Sequence, residues 1–171
     1  SADEEAAMSG STVNDQVLRA GEGERSRLGG VEDVFLLSAA DTGGRFAVVM
    51  HIFEPRALAA PMHRHHREDE WSYVLAGRLG AVVDGLEVEA GPGDLLVKPR
   101  GQWHTFWNAG DEEARCLELI GPAGLEELFR SFSGLAAEPD AEQLAAMAGR
   151  YGCDVDFPAT GPVVERHRLN F

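Results

Sequence analysis

Between Val31 and Ile120 the chain reads as a series of short apolar runs, each stopped by glycine, proline or aspartate. Val31–Ser38 ends at Asp41-Thr42-Gly43-Gly44, and Arg45–Phe53 ends at Glu54-Pro55. Trp71–Ala76 stops at Gly77. Arg78–Val83 runs into Asp84-Gly85, a two-residue hairpin signal, and returns as Leu86–Glu89. Leu95–Lys98, Gln102–Trp107 and Ala114–Ile120 complete the set. Short strands punctuated this closely predict a closed or sandwiched all-β unit over residues 31–121.

The period changes beyond Gly121-Pro122. Leu125, Leu128, Phe129 and Phe132 recur at helical spacing from Gly124 to Ser133, and Pro139-Asp140 opens a second helix that closes near Gly149. Residues 122–171 are therefore expected to be a pair of helices and a short tail packed on the outside of the β unit, with a lid over its mouth as the alternative. Residues 1–30 are polar and glycine-rich. They read as an arm that either adds an edge strand or reaches a partner subunit as an exchanged strand.

Two blocks inside the β region carry chemistry. His63, His65, Glu70 and Gly77 read H-x-H-x4-E-x6-G, and Gly93, Pro99, Gly101, His104 and Asn108 read G-x5-P-x-G-x2-H-x3-N. Side chains alternate faces along a strand, so His63 and His65 point the same way. The polar residues between His65 and Glu70 suit a turn that brings Glu70 back toward both histidines, and His104 lies on a strand of its own. Three imidazoles and a carboxylate suffice to hold a divalent metal with positions left open. A lone His-x-His, or a lone histidine on an aromatic strand, is ordinarily a hydrogen-bonded core feature. The fixed positions of the second block, however, should coincide by chance on the order of once in ten thousand chains. By strand parity with these residues, Ser72, Val74, Gln102 and Phe106 are pocket candidates, and Trp71, Trp103 and Trp107 should face outward. His51 shares a face with Phe53, and Phe46, Val48, Met50 and Ile52 share the other; the pattern leaves open which face is inward. His51 is either a donor supporting the site or a hydrogen-bonded core histidine.

These blocks resemble the paired motifs of the cupin superfamily. The second matches at every fixed position. The first departs only where the family's leading glycine is Ala57. The resemblance implies an antiparallel jelly-roll β-barrel with His63, His65, Glu70 and His104 as metal ligands, one metal per chain. Fe, Mn, Co, Ni and Zn all suit this ligand set. The x4 spacing before Glu70 and the segment Gly124–Phe129 are similar to single-barrel, quercetin-dioxygenase-like cupins. That similarity implies a dioxygenase-like enzyme acting on a small aromatic or enolic compound, with Glu70 as base, and a homodimer. Two other classes stay open: a non-oxidative isomerase or cyclase, with Glu70 or His51 moving protons, and a module that binds or senses a small molecule without turnover.

Composition excludes some partners. With 29 acidic and 15 basic residues the formal charge is −14, which repels nucleic acid and anionic membranes. No apolar stretch is long enough to span a bilayer. The acidic start, Ser1-Ala2-Asp3-Glu4-Glu5, does not read as a secretion signal, so the expected compartment is the cytoplasm. Of the two cysteines, Cys116 lies in an apolar run and reads as a buried thiol, and Cys153 follows a Tyr151-Gly152 turn signal.

Overall fold

The computed structural model describes residues 17–171, which form two antiparallel sheets. The first sheet contains β1 (Glu24–Leu28), β2 (Val31–Leu37), β3 (Ala47–Phe53), β5 (Asp69–Ala76), β8 (Leu95–Lys98) and β10 (Ala114–Gly121). Its order is β1-β2-β3-β10-β5-β8. The second contains β4 (Met62–His65), β6 (Leu79–Val83), β7 (Leu86–Ala90), β9 (His104–Asn108) and β11 (Cys153–Asp156), in the order β11-β4-β9-β6-β7. A single helical turn, α1 (Ala39–Thr42), joins β2 to β3. β1 and β11 lie outside residues 31–121, yet both belong to the sheets. β1 pairs with β2 of its own chain from Glu24↔Phe35 to Leu28↔Val31. Residues 1–16, which make up half of the expected arm, lie outside the described residues.

Turn chemistry places the strands. Asp84 and Gly85 take φ of 50° and 79°, the doubly left-handed geometry that lets a two-residue hairpin follow the strand twist between β6 and β7. The motif residue Gly77 has φ of 75°, and a Cβ there would lie 2.7 Å from Ala114 Cβ, so the site requires glycine twice over. Asn108 is buried at the end of β9 and ties the following turn. Its amide donates to the Glu54 and Glu112 carbonyls, and its side-chain oxygen accepts from Gly110 N–H.

Burial along β3 alternates, with Ala47, Val49, His51 and Phe53 inward, so the face carrying His51 is the inner one. Phe53, Val74, Leu96, Ala114 and Cys116 of the first sheet meet Leu79, Ala81 and Phe106 of the second in one apolar core. Cys116 and Cys153 are both buried free thiols.

The C-terminal region departs from expectation in two ways. Two helices form where the spacing places them: α2 (Glu126–Ser131), continued by a 3-10 turn to Gly134, and α3 (Ala141–Gly149), capped by Asp140. They do not lie on the outside. Leu125, Leu128 and Ala148 pack against the inward residues Ala47, Val49 and Ile120, so these helices cover one end of the space between the sheets. The expected tail, 151–171, instead forms β11 and an eleven-residue helix, α4 (Phe157–His167). Pro158, Gly161 and Pro162 argue against a helix by propensity. Tertiary contact overrides them: Thr160 Oγ1 accepts from Met62 N–H at 2.9 Å and donates to the Asp156 carbonyl at 2.7 Å, and Val163 and Leu169 pack on Leu58, Met62 and Trp107. Trp107 does point outward from the second sheet, but α4 buries it, and the His167 ring packs against it with centroids 4.6 Å apart. Trp71 and Trp103 are half-buried, and Arg64 lies over the Trp103 ring. Among the described residues no helix is long and apolar enough to cross a membrane.

Candidate metal centre

His63 and His65 project from one face of β4, Glu70 from the start of β5, and His104 from the start of β9, where it pairs directly with His63. One donor atom from each of the four lies within 4.8 Å of the others, so the cluster could hold a metal ion. The ring centroids of the histidines are 4.3–5.3 Å apart. Neighbouring groups orient the rings. His63 Nδ1 contacts the Pro61 carbonyl at 2.7 Å and His104 Nδ1 the Gln102 carbonyl at 3.1 Å. Each therefore presents Nε2 to the centre, the arrangement that supporting partners impose on metal-binding imidazoles. His65 Nδ1 meets Cys153 Sγ at 3.0 Å. His104 Nε2 is buried and has no hydrogen-bond partner, although Glu70 Oε2 lies 3.3 Å away. An orphaned buried nitrogen is costly unless something takes its lone pair. This atom and the mixed nitrogen and oxygen donor set both fit a divalent transition metal.

Electrostatics separates the three imidazoles. Burial, reinforced by His104 and His65, holds His63 well below the ordinary imidazole range. Burial also disfavours charge on His65, but Glu70 and Cys153 outweigh it and raise its pKa to about 10. Burial pushes Glu70 up, yet His65 and Lys98 hold it well below the usual carboxylate range. Glu70 Oε2 contacts His65 Nε2 at 3.0 Å. A metal taking that nitrogen would have to displace the proton there, so binding should weaken as pH falls.

A polar row crosses the inner face of the first sheet beside this cluster. Asp33 on β2 meets His51 Nδ1 at 2.6 Å, and His51 Nε2 lies 3.7 Å from Glu118 Oε2 on β10. Glu118 accepts from Ser72 Oγ at 2.6 Å and from Lys98 Nζ, also at 2.6 Å; Lys98 Nζ lies 3.9 Å from Glu70 Oε2. All six residues are buried. Charges therefore alternate from Asp33 through His51, Glu118 and Lys98 to Glu70. Burial lowers the pKa of His51, but Asp33 and Glu118 raise it overall; burial likewise opposes charge on Lys98, and Glu118 and Glu70 outweigh it.

A cavity of about 840 Å³ opens onto both features. His63, His65 and Glu70 border it at one place, and Asp33, His51 and Glu118 at another. Phe106, Phe129, Phe132, Leu128, Leu144 and Phe157 supply much of its apolar wall. Of the pocket candidates, His51 and Phe106 line the cavity. Ser72 and Val74 are inward but sit behind its wall, one bonded to Glu118 and the other in the core. Gln102 is elsewhere, beside a groove bordered by β6, β7 and β8, because it precedes β9 and strand parity does not extend to it. Asp33, Lys98 and Glu118 were not anticipated. Their signal was available: Lys98 and Glu118 are charged residues inside apolar strand runs, a position that demands a buried partner.

Residues 49–120, which contain both sequence blocks, match the family model of the cupin domain. The fold agrees with the crystal structure of a predicted oxalate decarboxylase from Thermotoga maritima, with a TM-score of 0.58 at 24% identity over 62% of this chain and 98% of that one. The chain contains a cupin domain. Curated relatives include quercetin 2,3-dioxygenase of Bacillus subtilis strain 168, 28% identical over 115 residues, which is 67% of this cupin and 34% of that protein. An acireductone dioxygenase of Rhodopseudomonas palustris strain TIE-1 is 32% identical over 101 residues, 54% of this cupin and 60% of the relative. In both cases this cupin spans less than two thirds of the relative's length.

Proposed function

We propose that this cupin is a metal-dependent enzyme of dioxygenase type that acts on a small aromatic or enolic compound. The observation that carries the reading is the convergence of His63, His65, Glu70 and His104, the first three bordering a largely apolar cavity, with the His104 nitrogen left unpaired. The similarity to two dioxygenases supports the reaction class. A bound divalent metal would supply Lewis-acid polarisation of a substrate oxygen and open coordination positions. The four residues would hold it through three imidazole nitrogens and one carboxylate oxygen. Glu70, ionised and hydrogen-bonded to His65, is the group placed to accept a proton from a substrate hydroxyl. The aromatic wall would exclude water and hold a planar substrate edge-on to the cluster.

Oxygen uptake by the purified chain with a panel of flavonols and β-diketones tests the class. Substrate-dependent uptake is the expected result. Conversion of the best substrate at an undiminished rate without oxygen would replace this reading with isomerase or cyclase chemistry. Tight binding without conversion would leave a binding module.

We propose in addition that the chain forms a homodimer through the outer face of the first sheet. β8 is an edge of that sheet, and Leu95 and Val97 on it, with Tyr73 and Leu75 on the adjoining β5, are exposed. Exposed apolar edge strands ordinarily pair or become covered. Val97→Asp should convert the chain from dimer to monomer in sedimentation equilibrium and leave metal content unchanged. A monomeric unmodified chain at millimolar concentration would refute the dimer.

A further inference from the structure

The polar row beside the metal cluster is more than its packing requires. Buried charges arranged this way seldom stabilise a fold relative to apolar side chains of similar volume. Lys98 and Ser72 lie behind the cavity wall, but Asp33, His51 and Glu118 border the cavity itself. His51 is the centre of this group. Asp33 fixes its Nδ1 at 2.6 Å, whereas Nε2 makes no hydrogen bond among the described residues. Its closest carboxylate oxygen, on Glu118, is 3.7 Å away, beyond hydrogen-bond range. Three aromatic rings surround the imidazole, with the centroids of Phe53, Phe106 and Phe129 at 6.0, 6.1 and 5.8 Å.

These features specify a ligand. An aromatic ring would complete the aromatic surround. Nε2 needs a polar partner, and a hydroxyl satisfies it in either protonation state, accepting from the imidazolium or donating to the neutral ring. When it accepts from the imidazolium, the same hydroxyl can donate its own proton to Glu118. An anionic group would meet two carboxylates, Asp33 and Glu118, and a bare hydrocarbon would leave Nε2 unpaired. We propose that Asp33, His51 and Glu118 form a second binding station of the cavity, which takes an uncharged aromatic hydroxyl. This deepens the functional reading above and rests on it for the identity of the bound molecule as substrate. A molecule engaged at both places would carry oxygen at two separated positions on a planar frame. The helical cover takes part, because Phe129 belongs to α2.

Fluorescence titration of the full chain with 2-naphthol, naphthalene and 2-naphthoate tests the station without requiring turnover. The expected order is 2-naphthol tightest, by at least about tenfold over naphthalene, the least that a hydrogen bond to a charged group supplies; 2-naphthoate should bind weakest. His51→Leu should abolish the naphthol preference while keeping naphthalene affinity, and Asp33→Asn should reduce it by loosening the hold on the ring. A His63→Ala/His104→Ala variant should retain the preference, which separates failure of this station from failure of the metal reading. Equal affinity for naphthol and naphthalene in the unmodified chain would overturn the proposal. So would a crystal soaked with 2-naphthol that places its oxygen at the four-residue cluster and not within hydrogen-bond distance of His51 Nε2. Neither result depends on a variant folding.

Discussion

Replacing His63, His65 and His104 together by alanine is expected to bring bound transition metal, measured by elemental analysis of freshly purified protein, to background. The three rings supply three of the four donor atoms that lie within 4.8 Å of one another, and a single carboxylate cannot hold a transition metal alone in competition with water. Each single substitution should weaken binding by more than the roughly 10–100-fold that losing a supporting partner costs. Glu70→Gln should weaken it less, because an amide oxygen still coordinates, yet it should remove turnover by removing the base. The triple variant should remain folded, since the apolar core around Phe53, Val74, Leu79 and Phe106 does not include the histidines. Its near-ultraviolet circular dichroism should therefore match that of the unmodified chain. Full metal occupancy in that variant would mean that the metal sits elsewhere.

Lys98→Met is expected to destabilise the chain by about 3–5 kcal/mol, the usual cost of stranding a buried charge. The Lys98 side chain is 0% exposed, its ammonium donates to Glu118 at 2.6 Å, and it stands 3.8 Å from the Phe106 ring centroid. Methionine preserves much of the volume, so the loss isolates the charge. In a chain of this size each kcal/mol moves the thermal midpoint by roughly 2–4 °C, which makes the effect readily measurable. Adding Glu118→Gln should recover a large part of it, because the stranded carboxylate is then gone. A single variant within about 1 kcal/mol of the unmodified chain, on the scale of an exposed ion pair, would show that Lys98 does not balance the row.

The contrast between these two sites explains what could be read from the chain before its structure. The convergence of His63, His65, Glu70 and His104 was legible because they lie in two compact blocks whose spacing follows from strand alternation and one turn. Parity then placed Ser72, Val74 and Phe106 inward as well. It failed at Gln102, where the strand had not yet begun. The polar row was not legible in the same way. Asp33, His51, Ser72, Lys98 and Glu118 come from five strands, and only the order β2-β3-β10-β5-β8 makes them neighbours. Sequence proximity carries none of that order. The helical cover was legible as helices but not in its placement, because an apolar helix face does not specify which surface it will meet. The last helix was hidden for the opposite reason: prolines and a glycine depress its propensity, and only its contacts with Met62 and Trp107 reveal why it forms.

The pairing of β4 has a further consequence. This strand carries two of the four clustered side chains, yet it meets β9 at a single pair, His63↔His104, while β11 accompanies it along its whole length from Cys153↔His65 to Asp156↔Met62. The alignment of His63 and His65 is thus borrowed from a segment whose cysteine lies 88 residues downstream of His65 and which enters directly from the helical cover. A chain trimmed to its recognisable motif span would keep all four cluster residues and lose the splint that sets two of them. The smallest unit that keeps this cluster aligned is accordingly larger than its signature, and exchanging the C-terminal segment would re-set the His63 and His65 rings from a distance.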